Sequence, residues 1–278
     1  MSTTEFSLWI FLSSVLAGLL GSLTGLGGGV VIVPVLTLLF HIDIHYAIGA
    51  SLVSVIATSS GAAAAYVREG FSNIRIGMFL EIATTVGALF GAYLTTRITT
   101  HTIGIVFGVV LLFSAYSSLR KRHAEHEPSR PDGLAARLKL HGTFPGPQGD
   151  QPYAARHVPA GFSLMFTAGT LSGLLGIGSG AVKVLAMDQA MRLPFKVSTT
   201  TSNFMIGVTA AASAGIYLSR GYISPGLAMP VMLGVLVGSL AGSKILFHAE
   251  VKTLRILFGV VIVALGIEMI FNSVAGKL

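Results

Sequence analysis

Apolar and polar positions alternate along the chain in one rhythm, played twice. In the first half, apolar blocks run over about Ser7 to Phe40, Tyr46 to Val67, Ile74 to Thr96 and Thr102 to Leu119. In the second they run over about Pro159 to Met191, Val197 to Leu218, Ile223 to Phe247 and Leu254 to Phe271. Most have the roughly 20 residues that a helix needs to cross a bilayer. The pattern predicts an all-α polytopic membrane protein built from two four-segment repeats, residues 1–119 and 159–278. Residues 120–158, rich in Pro, Gly, His and charge, read as a flexible linking loop with a short helix near Leu134 to Leu140.

The halves superpose without a gap at a shift of 151 residues. Gly18 then meets Gly169, Gly25 meets Gly176, Gly27 meets Gly178 and Gly29 meets Gly180. Ser51 meets Ser202, Thr58 meets Thr209, Tyr66 meets Tyr217, and Gly87 and Gly91 meet Gly238 and Gly242. A single register shared by glycines and polar residues marks a duplication.

The first block of each half is too long for one crossing, and a glycine run divides it: GLGGG (Gly25 to Gly29) and GIGSG (Gly176 to Gly180). The piece beyond the first run, Val30 to Phe40, rises only about 17 Å as a helix. The hydrocarbon core is about 30 Å thick. Two topologies compete. If the long block crosses once, the halves are parallel. Arg68, Arg75, Arg220 and Lys277 then join the basic linking loop inside, while Arg97, Arg192, Lys196, Lys244, Lys252 and Arg255 lie outside. If the block folds back at its glycines, the halves are inverted. Arg68, Arg75, Arg192, Lys196, Lys244, Lys252 and Arg255 are then inside, and only Arg97, Arg220 and Lys277 are outside. Basic residues favour the cytoplasmic side. The expectation is therefore eight membrane segments in inverted repeats, the first of each half a glycine-broken re-entrant hairpin, with the linking loop in the cytoplasm and the chain in the cell membrane.

Composition narrows the function. The chain is 53% hydrophobic and 10% charged, against about 25% charged in soluble domains, and its mean hydropathy is +0.79. The net charge of +7 comes from basic residues that flank apolar blocks, so it speaks for membrane orientation and not for nucleic acid. The start, MSTTEFS, has no basic region of the kind that opens a cleaved leader. The absence of cysteine excludes thiolate chemistry, and all eight histidines fall in loops or at helix ends, so no metal or other cofactor is expected. GLGGGV and GIGSGA fail the GxGxxG pattern and no GxxxxGK[ST] occurs, which excludes a nucleotide-driven pump. No hydrolase constellation stands in the segments, so an enzyme is not expected.

Glycine-broken helices at matching places in two halves point to a secondary transporter with its site near the midplane. Short helices starting after Gly29 and Gly180 would aim backbone N–H groups at a small anion, with Gly27, Gly28, Gly29, Gly178, Ser179 and Gly180 as donors. Close helix packing is the alternative reading of these glycines, and it is the reading adopted for GALFG (Gly87, Gly91) and GSLAG (Gly238, Gly242). The polar run VSTTTSNF adds Thr200, Thr201, Ser202 and Asn203, with Ser51 as the counterpart of Ser202; capping or backbone bonding is their other role. Lys183, one turn into the second short helix, is an intramembrane charge and so a candidate anion partner. It can instead pair with Glu81, Asp188 or Glu268, or snorkel to the surface. Glu81 and Glu268 are themselves candidate proton-coupling groups, which makes the proton the expected coupling ion.

These residues resemble the TauE/SafE family of sulfite and sulfonate exporters. The resemblance rests on GLGGGVVIVPVL and GIGSGAVKVLAM, on the polar-small starts GASLVS and TTTSNF, and on the block layout. It implies an eight-helix permease whose half-helix pairs enclose sulfite or a small organosulfonate, coupled to an ion gradient. Ser179 in place of the middle glycine, Leu185 opposite Pro34, and Lys183 depart from the pattern. An anion-binding accessory or sensor protein without transport is the alternative function.

Overall fold

The computed structural model describes residues 3–24, 28–68, 72–119, 132–146, 149–246 and 251–276. The first half contributes α1 (Thr3–Thr24), α2 (Gly29–Pro34), α3 (Ile44–Arg68), α4 (Ile74–Leu94) and α5 (Thr100–Leu119). Between the halves lie a short α6 (Gly133–Arg137) and strands β1 (His141–Gly146) and β2 (Gly149–Ala154). The second half contributes α7 (Val158–Leu175), α8 (Gly180–Leu185), α9 (Phe195–Ser219), α10 (Pro225–Leu246) and α11 (Val251–Val274). Among the described residues, four helices, α1, α4, α5 and α7, are long and apolar enough to cross a membrane. The apolar side chains they turn outward fit a lipid surface: Trp9, Leu16, Ile82, Phe90, Phe113 and Tyr116 are all at least half exposed or nearly so.

The long first block of each half is two helices. In the second half the break has a defined backbone: Gly176, Gly178 and Ser179 all take the left-handed conformation, with φ of 67°, 71° and 43°. Glycine adopts that region without strain, and serine does so at a cost. Each short helix then widens into a π-helical turn, Val35–Leu39 after α2 and Ala186–Ala190 after α8. Both turns close alike. Ile42 N–H donates to the Leu36 carbonyl and Leu193 N–H to the Met187 carbonyl, after left-handed His41 and Arg192. These pairs coincide under the 151-residue shift. The ends of each bent block also return to its beginning: Phe6 of α1 meets Phe40 edge-on, and Arg156 N–H donates to the Met191 carbonyl.

Helix packing repeats the symmetry. α1 packs on α10 as α7 packs on α4, while α3 packs on α9 and α5 on α11. The glycines make these contacts close. A Cβ on Gly87 would lie 2.2 Å from the Phe166 carbonyl oxygen, and its equivalent on Gly238 would lie 2.0 Å from that of Val15. Gly18 faces Val235 and Gly169 faces Thr84 in the same way. Gly91 is pressed against Thr170, so GALFG and the first glycine of GSLAG serve packing, as their spacing predicts. The surroundings of Gly242 lie outside the described residues.

The linking segment departs from expectation. Residues 120–131 lie outside the described residues, but residues 132–146 and 149–157 do not form a structureless loop. α6 leads into an antiparallel hairpin pairing His141 with Ala154 and Phe144 with Gln151. The hairpin is anchored because Ala135, Leu140, Tyr153 and Ala155 bury themselves with Ile76, Leu80, Val158 and Met191 in one apolar cluster. Asn73, before α4, ties it down: its side-chain N–H donates to the Tyr153 hydroxyl at 2.9 Å. Burial raises the Tyr153 hydroxyl above its ordinary pKa, partly offset by that hydrogen bond, so it stays protonated. Tyr153→Phe is expected to loosen the hairpin by about 1 kcal/mol. Limited proteolysis within residues 141–154 should then run roughly fivefold faster.

Candidate functional site

The two short helices bring their tips to the interface between the halves. A Cβ on Gly29 would stand 2.6 Å from Ser51 Oγ and 3.1 Å from the Gly176 carbonyl oxygen. Ser51 Oγ donates to that same carbonyl at 2.8 Å, so α3 of one half is bonded to the break of the other. A Cβ on Gly178 would meet Val55 of α3 at 3.3 Å and Ile206 of α9 at 2.8 Å. At Gly29 and Gly178 the backbone is therefore packed with no room for a side chain. The Gly28 carbonyl accepts from Val31 and Ile32 N–H, and the Ser179 carbonyl accepts from Lys183 N–H. An α-helix leaves its earliest N–H groups without an intrahelical partner; in α2 these precede Val31 and in α8 they precede Lys183.

The other predicted residues divide. Gly27 lies outside the described residues. Gly28 caps α2, and a Cβ there would reach within 2.5 Å of Val235 Cγ1. Gly180 opens α8 beneath Ser202, whose hydroxyl donates to the Gly180 carbonyl at 3.4 Å. Ser179 donates its hydroxyl to the Ala168 carbonyl of α7 at 2.5 Å, which holds the strained break against its own half. Thr200 donates back along α9 to the Lys196 and Val197 carbonyls, the backbone role weighed against binding. Thr201 Oγ1 accepts from Asn73 N–H at 3.1 Å and so fixes the entrance to α4. Asn203 is half-buried. Gly29, Ser51, Gly178, Gly180 and Ser202 therefore converge, while Thr200 and Thr201 serve the scaffold.

Lys183 is fully buried. Its Nζ donates to Thr209 Oγ1 at 2.6 Å, and Thr209 Oγ1 donates to Glu81 Oε1 at 2.7 Å. Thr85 Oγ1 donates to the same carboxylate oxygen at 3.1 Å. Of the three acids open to Lys183 from sequence, Glu81 is the one in this network; Glu268 faces outward from α11 and Asp188 is half-buried. Side chains of a helix lean toward its N-terminus, so the ammonium extends back toward the break that opens α8. The network is one-sided: under the repeat register Lys183 meets Ile32 and Glu81 meets Met232. Thr209, the link between them, was visible in the sequence only as the repeat partner of Thr58.

The chain is similar in sequence to known membrane proteins. The probable membrane transporter protein YunE of Bacillus subtilis is 28% identical over 93% of this chain and 95% of its own. The probable membrane transporter protein YdhB of the same organism is 29% identical over 84% of this chain and 88% of its own. A probable membrane transporter protein of Methanocaldococcus jannaschii is 26% identical over 92% of both chains. No solved structure matches. The family described as sulfite exporter TauE/SafE matches residues 10–269. With nearly its whole length so matched, the chain belongs to the TauE/SafE family, is a multi-pass membrane transporter, and is not an enzyme.

Proposed function

We propose that the chain is a secondary active transporter of a small anion, sulfite or a small organosulfonate, working by alternating access. The anion sits where the tips of α2 and α8 meet, held by first-turn N–H groups, by Ser51 and Ser202, and by Lys183. One observation carries this reading: Gly29 of one half abuts Ser51 and the Gly176 carbonyl at a junction where the first block of each half is divided into two helices. Half-helix N-termini at a repeat interface are how transporters hold anionic groups at membrane depth.

The contacts also support inverted repeats. His45, near the start of α3, stacks on Tyr222 beyond the end of α9, whereas Asn73 beyond the end of α3 bonds Thr201 near the start of α9. Helices α3 and α9 therefore run oppositely, and each bent block closes at its own face through Phe6–Phe40 or Arg156–Met191. In this arrangement the basic linking segment is cytoplasmic. Proteoliposomes holding the purified chain are expected to take up radiolabelled sulfite saturably, with no such uptake in protein-free vesicles. Binding without flux would leave an anion-binding accessory or sensor protein and overturn the transport reading.

A further inference from the structure

The Lys183–Thr209–Glu81 network contains an imbalance. Glu81 Oε1 accepts from both Thr85 and Thr209, but Glu81 Oε2 is buried with no hydrogen-bond partner among the described residues. A buried carboxylate oxygen left bare is costly if the group only neutralises a lysine. It is in place to receive a proton. The charged group facing Glu81 is Lys183 of α8, reached through Thr209. Of the elements packed against α4, α7 carries no titratable residue, and α9 presents Thr201, Phe204 and Met205 near Gly77 and Thr209 at Glu81 itself. On α9, Lys196 is exposed and Tyr217 bonds the Gly173 carbonyl of α7; Asp188 stands on the π-helical turn beyond α8.

We propose that Glu81 is the proton-binding site through which anion binding is coupled to a proton, a step that rests on the transport reading above. With the anion site empty, the Glu81 carboxylate holds Lys183 through the Thr209 hydroxyl. When the anion arrives, the ammonium turns to it, and the Glu81 carboxylate loses its counter-charge. One solvent proton then adds to Oε2, forming one O–H bond and leaving a neutral carboxylic acid. The site gains a singly charged anion and a proton together, and the buried charge stays balanced. The asymmetry of the repeats fits this division, since one half supplies the acid and the other the lysine.

The test is sulfite transport in proteoliposomes, measured as equilibrium exchange and as accumulation driven by a proton gradient. The wild type is expected to do both. Glu81→Gln is expected to continue exchange while gradient-driven accumulation falls roughly tenfold; Glu81→Asp, which keeps a carboxylate, retains accumulation. Sulfite's own proton equilibria are the same for every variant, so the difference between variants reads Glu81. A folded Glu81→Gln protein that accumulates sulfite as the wild type does overturns the inference. If Glu81→Gln does not reconstitute, Thr209→Val carries the same test, because it severs lysine from carboxylate and leaves both charges. Wild-type accumulation in that variant equally overturns the proposal. Absence of exchange in the wild type is a separate result, and it removes the transport reading itself.

Discussion

Replacing Gly91 with alanine is expected to destabilise the protein by about 3 kcal/mol, near the upper end for overpacking a tight interface. The added Cβ would lie 2.0 Å from the Thr170 carbonyl oxygen, 2.8 Å from its carbon and 2.9 Å from Leu174 N. All three are backbone atoms of α7, so no rotamer change relieves the clash and α4 must move away. Movement there also disturbs the neighbouring contacts of Gly87 with Phe166 and Gly169 with Thr84. Gly238→Ala is expected to match it, since its Cβ would lie 2.0 Å from the Val15 carbonyl oxygen in the equivalent α1–α10 pair. Gly215→Ala is the control: a Cβ there meets nothing within 4 Å, and alanine in a helix gains about 1 kcal/mol over glycine. Thermal unfolding of the purified protein in detergent checks all three. A Gly91→Ala midpoint equal to that of Gly215→Ala would mean that the helices do not pack this closely.

How much of this was legible in the sequence depended on whether the relevant physics is local. The GALFG spacing places two small residues on one helix face, so Gly87 and Gly91 announce close packing before any partner is known. The break at GIGSG was legible from length, since the apolar block around it is too long for one helix and its second piece too short to cross. The hairpin was not legible. His141 to Ala154 carries Pro145 and Pro152 with no regular apolar alternation, and its order comes from burial of Leu140, Tyr153 and Ala155 against helices distant in sequence. Thr200 and Thr201 show the other limit: a hydroxyl count says what can be donated but not where it points. Thr200 spends its donor on α9 itself, and Thr201 receives Asn73. The choice of Glu81 among three acids required the tertiary fold, because it is Thr209 on a third helix that joins it to Lys183.

Lys183→Met carries the second large expectation, and it separates two roles that one side chain combines. Removing the ammonium leaves the Glu81 carboxylate buried without its counter-charge, and breaking a buried pair from one side costs about 3–5 kcal/mol. The single variant should therefore lose both stability and anion affinity, and its loss of binding proves nothing alone. Adding Glu81→Gln restores charge balance while Gln still accepts from Thr209. The double variant is expected to regain most of the lost stability, a non-additivity that a double-mutant cycle reads directly. Anion affinity should not return if Lys183 holds the anion as proposed, because no neutral residue replaces its cation. Calorimetric titration with sulfite on the stable double variant then decides the matter. Affinity equal to the wild type would take Lys183 out of the anion site and leave it as the buried counter-ion of Glu81; affinity lost despite restored stability ties the lysine to the substrate.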